Sequence, residues 1–135
     1  MHKGDILFHK RFGFKDGHTS PKLIVILNTP NLDKKEPYLV CRTTSKQGIK
    51  IKSPACDTLL STFFIPADEE YFETDTWLQL HELFEIEAQS LLQDHFNQEL
   101  FSQNELSENK IRQLVNCIKK NKDISQEHKD LIFNS

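Results

Sequence analysis

Residues 21–27 read PKLIVIL, a proline and a lysine followed by five consecutive apolar residues. A short apolar run that is rich in β-branched side chains predicts a strand, and its lack of alternation predicts that both faces are buried. This is the clearest strand in the sequence, and turn signals on either side of it define its neighbours.

Further short strands are predicted because glycine and proline divide the flanking sequence into short apolar stretches. The predicted strands cover residues 4–9, 22–27, 38–44, 49–52, 62–66 and 76–80. Lys10–Ser20 is predicted to be a loop, since Gly13 and Asp16-Gly17 are turn signals. Residues 83–88 fit both a strand and a helix face, and we favour a strand that passes into a short helix over Ala88–Phe96.

The sequence after residue 106 predicts helices. Ser107 is a good N-cap, and Leu106 before it can pack onto Ile111 in the next turn. Apolar residues then follow helical spacing over Ser107–Asn121, at Ile111, Leu114, Val115 and Ile118. Ser125 can cap a last, shorter helix.

Together these elements predict one α+β domain over residues 1–135, a length that supports a single modest core. Residues 4–88 are predicted to form a strongly bent, barrel-like sheet of antiparallel strands. Residues 88–135 are predicted to form a helical C-terminal part.

Charge is distributed unevenly along the chain. Residues 1–53 carry eleven Lys or Arg against four Asp or Glu, whereas residues 54–135 carry six against sixteen. A uniformly basic nucleic-acid-binding protein is excluded, but a locally basic face is not. The alternative is that the two parts neutralise each other across the fold.

The cysteines and the chain start predict a cytoplasmic protein without a membrane anchor. No apolar run approaches the length that a membrane crossing needs, and no apolar leader follows Met1. The three cysteines are odd in number and widely spaced, which predicts three buried free thiols, at Cys41, Cys56 and Cys117. The spacing of the histidines and cysteines does not predict a metal site, and no glycine-rich loop predicts a nucleotide cofactor.

The segment Lys10–His18 places two aromatic residues, Phe12 and Phe14, among cations that include Arg11. Single-stranded nucleic acid is held by this pairing, because phosphates need positive charge and unstacked bases need flat apolar surfaces. The alternative is a solvated loop with one of the two rings in the core.

A second cation-rich segment, Arg42–Lys46, ends the predicted strand over residues 38–44. Its hydroxyls at Thr43, Thr44 and Ser45 and its cations can all donate to phosphate oxygens. The alternative is an ordinary passage from a strand into a turn.

Three short motifs occur in an order that resembles the MazF/PemK (Kid) family of toxin–antitoxin systems. Gly4-Asp5-Ile6-Leu7 resembles that family's opening strand, Ser20-Pro21-Lys22 its Arg-Pro strand entry, and Thr43-Thr44-Ser45 its strand end with a catalytic threonine. The resemblance covers about residues 4–66.

That resemblance implies a fold, an activity and partners. It implies an SH3-like small β-barrel of antiparallel strands with added C-terminal helices. It implies a metal-independent endoribonuclease that cleaves single-stranded RNA, forms a homodimer and is neutralised by a small antitoxin protein. The match breaks at Ser20, where the family carries an arginine, and Lys22, Arg11, His18 or Arg42 would have to substitute for it in space.

The predicted site lies between the two cation-rich segments. Cleavage by attack of a 2′-hydroxyl needs proton carriers and donors on the phosphate, and histidine, here His9 or His18, exchanges protons near neutral pH. The predicted catalytic residues are Thr44, Lys22 and His18. The predicted RNA-binding residues are Arg11, Phe12, Phe14, Arg42, Thr43, Ser45 and Lys46.

A second hypothesis belongs to a different class. The same SH3-like barrel can serve as a non-catalytic module that recognises a protein or a peptide. The serine at position 20 and the acidic total favour this alternative, whereas the segregated charge and the Thr-rich strand end favour RNA.

Overall fold

The computed structural model describes residues 1–46, 48 and 51–135. The described chain forms a single antiparallel sheet and three α-helices, which confirms the α+β class. The strands are β1 (Asp5–Gly13), β2 (Thr19–Ile26), β3 (Tyr38–Thr44), β4 (Cys56–Asp57), β5 (Thr62–Ile65), β6 (Thr76–Ile86) and β7 (Leu100–Glu105). The helices are α1 (Ala88–Phe96), α2 (Glu108–Lys120) and α3 (Gln126–Phe133), with a 3₁₀ turn at Leu32–Lys34.

The antiparallel sheet is observed as predicted, but it is open, so the expected small β-barrel is not closed in the described chain. Its strand order is β4-β5-β6-β3-β2-β1-β7, and the edge strands β4 and β7 do not pair with each other in the described chain. The strand that extends the sheet beyond β1 comes from residues 100–105, which were predicted to lie in the helical part.

Apolar side chains alternate between two faces of the sheet, and each face has its own helical cover. On β2, Val25 belongs to a large core cluster that includes Leu114 and Ile118 of α2. Its neighbour Ile24 points to the other face, into a smaller cluster with Leu91 of α1. The strand is therefore buried on both faces over Ile24–Ile26, as predicted for this apolar run, whereas Pro21 at its other end is exposed.

The helix caps and bounds agree with the sequence predictions. The side chain of Ser107 accepts a hydrogen bond from the backbone N–H of Lys110 at 3.2 Å, and α2 begins one residue later. Ser125 caps α3 in the same way, through the N–H of His128 at 3.2 Å. In both helices the cap satisfies a donor that has no partner within the helix.

The predicted loop Lys10–Ser20 is confirmed over residues 14–18 only, because β1 and β2 extend into both ends of it as a hairpin. The two strands pair as far as Gly13 and Thr19, with one extra residue in β1 between His9 and Phe12. That bulge interrupts the alternation from which the strand would have been predicted.

Other strand predictions fail for different reasons. Of the predicted strand over residues 49–52, Ile51 and Lys52 lie outside any strand, and the rest falls outside the described residues. Residues 76–86 form one strand without a break, although they were predicted as two segments.

The prediction of three free thiols is also wrong. Cys56 and Cys117 form a disulfide with an Sγ–Sγ distance of 2.13 Å and a Cα–Cα distance of 5.5 Å. They lie 61 positions apart in the sequence, and the fold brings them together because β4 packs against α2. Cys41 is the free thiol of the described chain, and burial raises its pKa to about 12.

Candidate nucleic-acid interface

The sheet opens between β2 and β3, and this opening forms the candidate site. Ile24–Ile26 pairs with Val40–Arg42, but the pairing stops there although both strands continue. A cleft of about 540 Å³ lies between the separated strand ends. We call it the strand-end cleft; its lining includes Phe8, Lys22, Thr43, Thr44, Ser45, Lys46 and Tyr71.

Lys22 lies half-buried in the wall of this cleft, close to two other cations. Partial burial, and after it the positive charges of Arg42 and Lys46, lower the pKa of Lys22 below its usual value of 10.5. Within the described residues, Lys22 forms no ion pair with a carboxylate. Lys22, Arg42 and Lys46 thus place three positive charges near one another, and no carboxylate of the described chain pairs with Lys22.

The two threonines of the strand end have different hydrogen bonds. Thr43 donates its hydroxyl proton to the backbone carbonyl of Leu23 at 2.8 Å, so that proton is already committed to the fold. Thr44 accepts a hydrogen bond from the backbone N–H of Lys46 at 3.2 Å, which leaves its hydroxyl proton available for a ligand. Ser45 and Lys46 are exposed at the rim.

A second cleft, of about 530 Å³, lies on the other side of Lys22 and contains the turn that joins β1 to β2. We call it the turn cleft; it is lined by Phe14, Lys15, Asp16, His18, Ser20, Lys22, Arg42 and Glu82. Since Lys22 lines both clefts, it stands at their junction.

His18 and Phe14 form a stacked aromatic pair in the turn cleft. Their ring centroids are 4.4 Å apart and the ring planes differ by 6°. The Asp16 carboxylate contacts both the backbone N–H and the Nδ1 atom of His18. The backbone hydrogen bond is the main reason that the pKa of Asp16 is lowered, and the bond to Nδ1 adds to it.

The side chain of Arg42 is largely buried, with 17% of it exposed. Its guanidinium group lies 5.2 Å from the ring centre of Phe14 and 5.5 Å from that of Phe84. Its Nη2 donates to Glu82 at 3.2 Å, and its buried Nε has no hydrogen-bond partner in the described chain. The guanidinium group of Arg42 is therefore already engaged by Glu82 and two aromatic rings, and its positive charge also acts on Lys22.

Two predicted RNA-binding residues lie outside both clefts: Phe12 is in the core, and Arg11 is on another part of the surface. Phe12 is 2% exposed and packs edge-on against Phe84, so its ring is a core element and cannot stack on a base. Arg11 donates two hydrogen bonds to Glu99, at 2.9 and 3.2 Å, on a different part of the surface. Neither residue lines the strand-end cleft or the turn cleft.

His9 is excluded as a proton carrier by its contacts. It is 7% exposed, its Nδ1 accepts the backbone N–H of Arg11 at 3.0 Å, and its Nε2 donates to Asp94 at 2.9 Å. Because both ring nitrogens are engaged, this histidine fixes the bulge in β1.

Glu82 and Tyr71 belong to the clefts and were not predicted from the sequence. Glu82 follows Gln79 in β6, where six residues of β6 (79–84) span the same distance as three of β3 (40–42), so an irregular register aims its side chain. Tyr71 lies in the acidic loop between β5 and β6, and only the folded chain brings it to the strand-end cleft.

One group of possible metal ligands occurs in the described chain, at His2, Asp5 and Glu105. The two ring nitrogens of His2 face different carboxylates, with Nδ1 3.1 Å from Asp5 and Nε2 3.6 Å from Glu105. His2 thus bridges the two carboxylates in a surface ion-pair arrangement.

Comparison of the sequence with models of known protein families and with curated proteins finds no match. Among the described residues, no helix has both the length and the apolar composition that a membrane crossing requires.

Proposed function

We propose that this chain is a MazF/PemK-like, toxin-type protein that binds single-stranded RNA in the strand-end cleft and cleaves it without a metal. One observation carries the proposal: Lys22 lies beside Arg42 and Lys46 without a carboxylate of its own within the described residues. Like charges held together are unfavourable in the free protein, and a phosphate group between them would remove that cost.

The cleft also offers the other groups that a single strand needs. Tyr71 and the half-buried Phe8 supply aromatic surface beside the cations. The free hydroxyl proton of Thr44 is oriented by its bond from Lys46 and would donate to a non-bridging phosphate oxygen.

The proton carrier that we assign is His18. Asp16 occupies its Nδ1, which leaves Nε2 as the ring atom that would take the proton of the 2′-hydroxyl and return it to the leaving oxygen. Lys22 would balance the charge that develops on the phosphorus oxygens, in place of the arginine that the family carries at the position of Ser20.

The resemblance extends the proposal to a homodimer, a small antitoxin partner and a cytoplasmic location. In a reducing cytoplasm, the Cys56–Cys117 disulfide would be subject to reduction.

The test of binding is a titration of labelled single-stranded RNA at several salt concentrations. Affinity should fall as salt rises, with a slope of about −0.7 for each phosphate contacted. Lys22→Gln should weaken binding and flatten the slope by about one contact, whereas Lys119→Gln, on the exposed side of α2, should do neither. Absence of binding by the folded protein at low salt would contradict the proposal and leave the non-catalytic protein-binding module.

The test of cleavage is the integrity of the same RNA over time. Thr44→Ala should slow cleavage more than it weakens binding, since its donor acts mainly in the transition state. Thr43→Ala is the matched control for Thr44, because the Thr43 proton is bonded to Leu23. RNA that stays intact while bound would contradict the catalytic part alone.

A further inference from the structure

Glu82 lines the turn cleft, and the position of its carboxylate is more specific than pairing with Arg42 alone would need. Glu82 reaches the cleft because β6 carries extra residues between Gln79 and Phe84, and such an irregularity re-aims a side chain at the cost of regular pairing. Its side chain remains 32% exposed, so part of the carboxylate faces the cleft.

The Glu82 carboxylate is held in place from behind. One oxygen accepts from Arg42 Nη2 at 3.2 Å, and the other lies 3.8 Å from Lys15 Nζ. Arg42 is itself fixed between Phe14 and Phe84. An ionised carboxylate accepts about four hydrogen bonds, so each oxygen keeps a free acceptor position for a ligand.

We propose that Glu82 recognises a guanine base of the bound RNA, an inference that rests on the proposed function. Guanine is the common base that presents two adjacent N–H donors, N1–H and the N2 amino group, on its Watson–Crick edge. A carboxylate accepts two such parallel donors in a bidentate pair. Adenine and cytosine each place an acceptor next to their donor, and uracil presents a single donor between two acceptors.

The remaining parts of the cleft fit the same base. The Phe14–His18 pair provides a stacking surface, because the outer side of His18 is exposed. Lys15 can donate to the O6 acceptor beside the two donors of guanine. The phosphate attached to this nucleotide would lie at Lys22, which lines both clefts.

The competing explanation is that Glu82 only neutralises Arg42. In that case, removing its charge would raise the affinity for every RNA sequence by the same factor, since a negative charge near the phosphate would be lost. Recognition of guanine predicts instead that the preference among bases changes.

The experiment uses four 2′-O-methyl oligonucleotides, which cannot be cleaved by 2′-hydroxyl attack and differ at one central position. The wild-type protein should bind the guanine oligonucleotide roughly tenfold more tightly than the other three. Glu82→Gln should reduce that preference to about twofold or less, while affinity for the adenine oligonucleotide stays equal or rises. His18→Ala should weaken all four to a similar extent.

A fifth oligonucleotide tests the inference without altering the protein. Inosine lacks the N2 amino group of guanine, so wild-type protein should bind it more weakly than guanine. Equal binding of all bases, equal binding of inosine and guanine, or a preference that survives in folded Glu82→Gln would overturn this inference alone. Absence of binding to every oligonucleotide would overturn the proposed function together with it.

Discussion

Lys110 and Lys22 are both at least partly buried, but only Lys110 is paired with a carboxylate in the described chain. Lys110 lies in α2, is 7% exposed and forms an ion pair with Glu69. Lys22 is half-buried in β2 beside Arg42 and Lys46, and in the described part of the chain no carboxylate pairs with it.

This difference separates a region built for stability from a region built for a ligand. In α2 the buried charge of Lys110 is paired with Glu69, and the helix is joined to the sheet by apolar contacts and a disulfide. The strand ends of β2 and β3 gather positive charge that an external anion would balance. Function commonly accounts for such local costs in stability.

The largest expected effect concerns the packing of the helical cover. Leu114 is 3% exposed in the large core cluster, so Leu114→Ala should lower the free energy of unfolding by about 2–5 kcal/mol. Gln113→Ala, at the exposed neighbouring position, should change it by less than about 0.5 kcal/mol. Both are measured by denaturant titration, and similar losses in the two variants would mean that this face of α2 is not buried.

The disulfide between β4 and α2 should contribute nearly as much as Leu114 to the free energy of unfolding. Reduction, or the double substitution Cys56→Ser with Cys117→Ser, should cost about 2–4 kcal/mol. A thiol titration of the unfolded, unreduced chain should count one thiol, Cys41, and reduction should raise the count to three. In the folded protein Cys41 should not react, because it is buried and its pKa is about 12. Three thiols before reduction would exclude the disulfide.

The two lysines should respond differently to the same substitution. Lys110→Gln should lower stability by about 1–3 kcal/mol, because it removes a charged hydrogen bond at a buried position. Lys22→Gln should leave stability within about 0.5 kcal/mol of wild type or increase it, since it relieves like-charge repulsion. A clear loss of stability in Lys22→Gln would mean that this lysine serves the fold.

A smaller effect should appear in the dependence of stability on pH. The folded-state pKa of Lys22 is lowered by burial and by Arg42 and Lys46, so between that pKa and 10.5 the unfolded chain binds more protons. Stability should therefore rise with pH through this window. Lys3 and Tyr38 also have shifted pKa values there, so urea midpoints of wild type and Lys22→Gln are compared. The same pH dependence in both proteins would exclude the assigned shift.

Much of the fold follows from local sequence signals. The α2 bounds follow from the Ser107 cap and the spacing of its apolar residues, and β3 follows from an apolar stretch between turn signals. β7 has no such signal, because five of its six residues are exposed and polar or aromatic residues occupy them. Its place in the sheet is set by pairing with β1, which is far away in the sequence.

The site could be predicted in part for the same reason. Lys22 and Thr44 each lie two residues beyond the paired residues Ile24 and Arg42 on neighbouring antiparallel strands, so predicting those strands already places them near each other. The sequence could not place Arg11 relative to the two clefts, because its partner, Glu99, is 88 positions away. Glu82 was missed because its direction depends on an irregular register in β6, which the sequence pattern does not encode.

The most direct test of the unbalanced charge at Lys22 is its side-chain pKa, measured by NMR titration of its Cε resonance with and without a bound single strand. A 2′-O-methyl oligonucleotide of adenine and cytosine suits this range of pH, because it resists alkaline hydrolysis. We expect a pKa below 10.5 in the free protein and a rise toward or above that value when the oligonucleotide binds. An ordinary pKa in the free protein, or one that does not change on binding, would contradict the account.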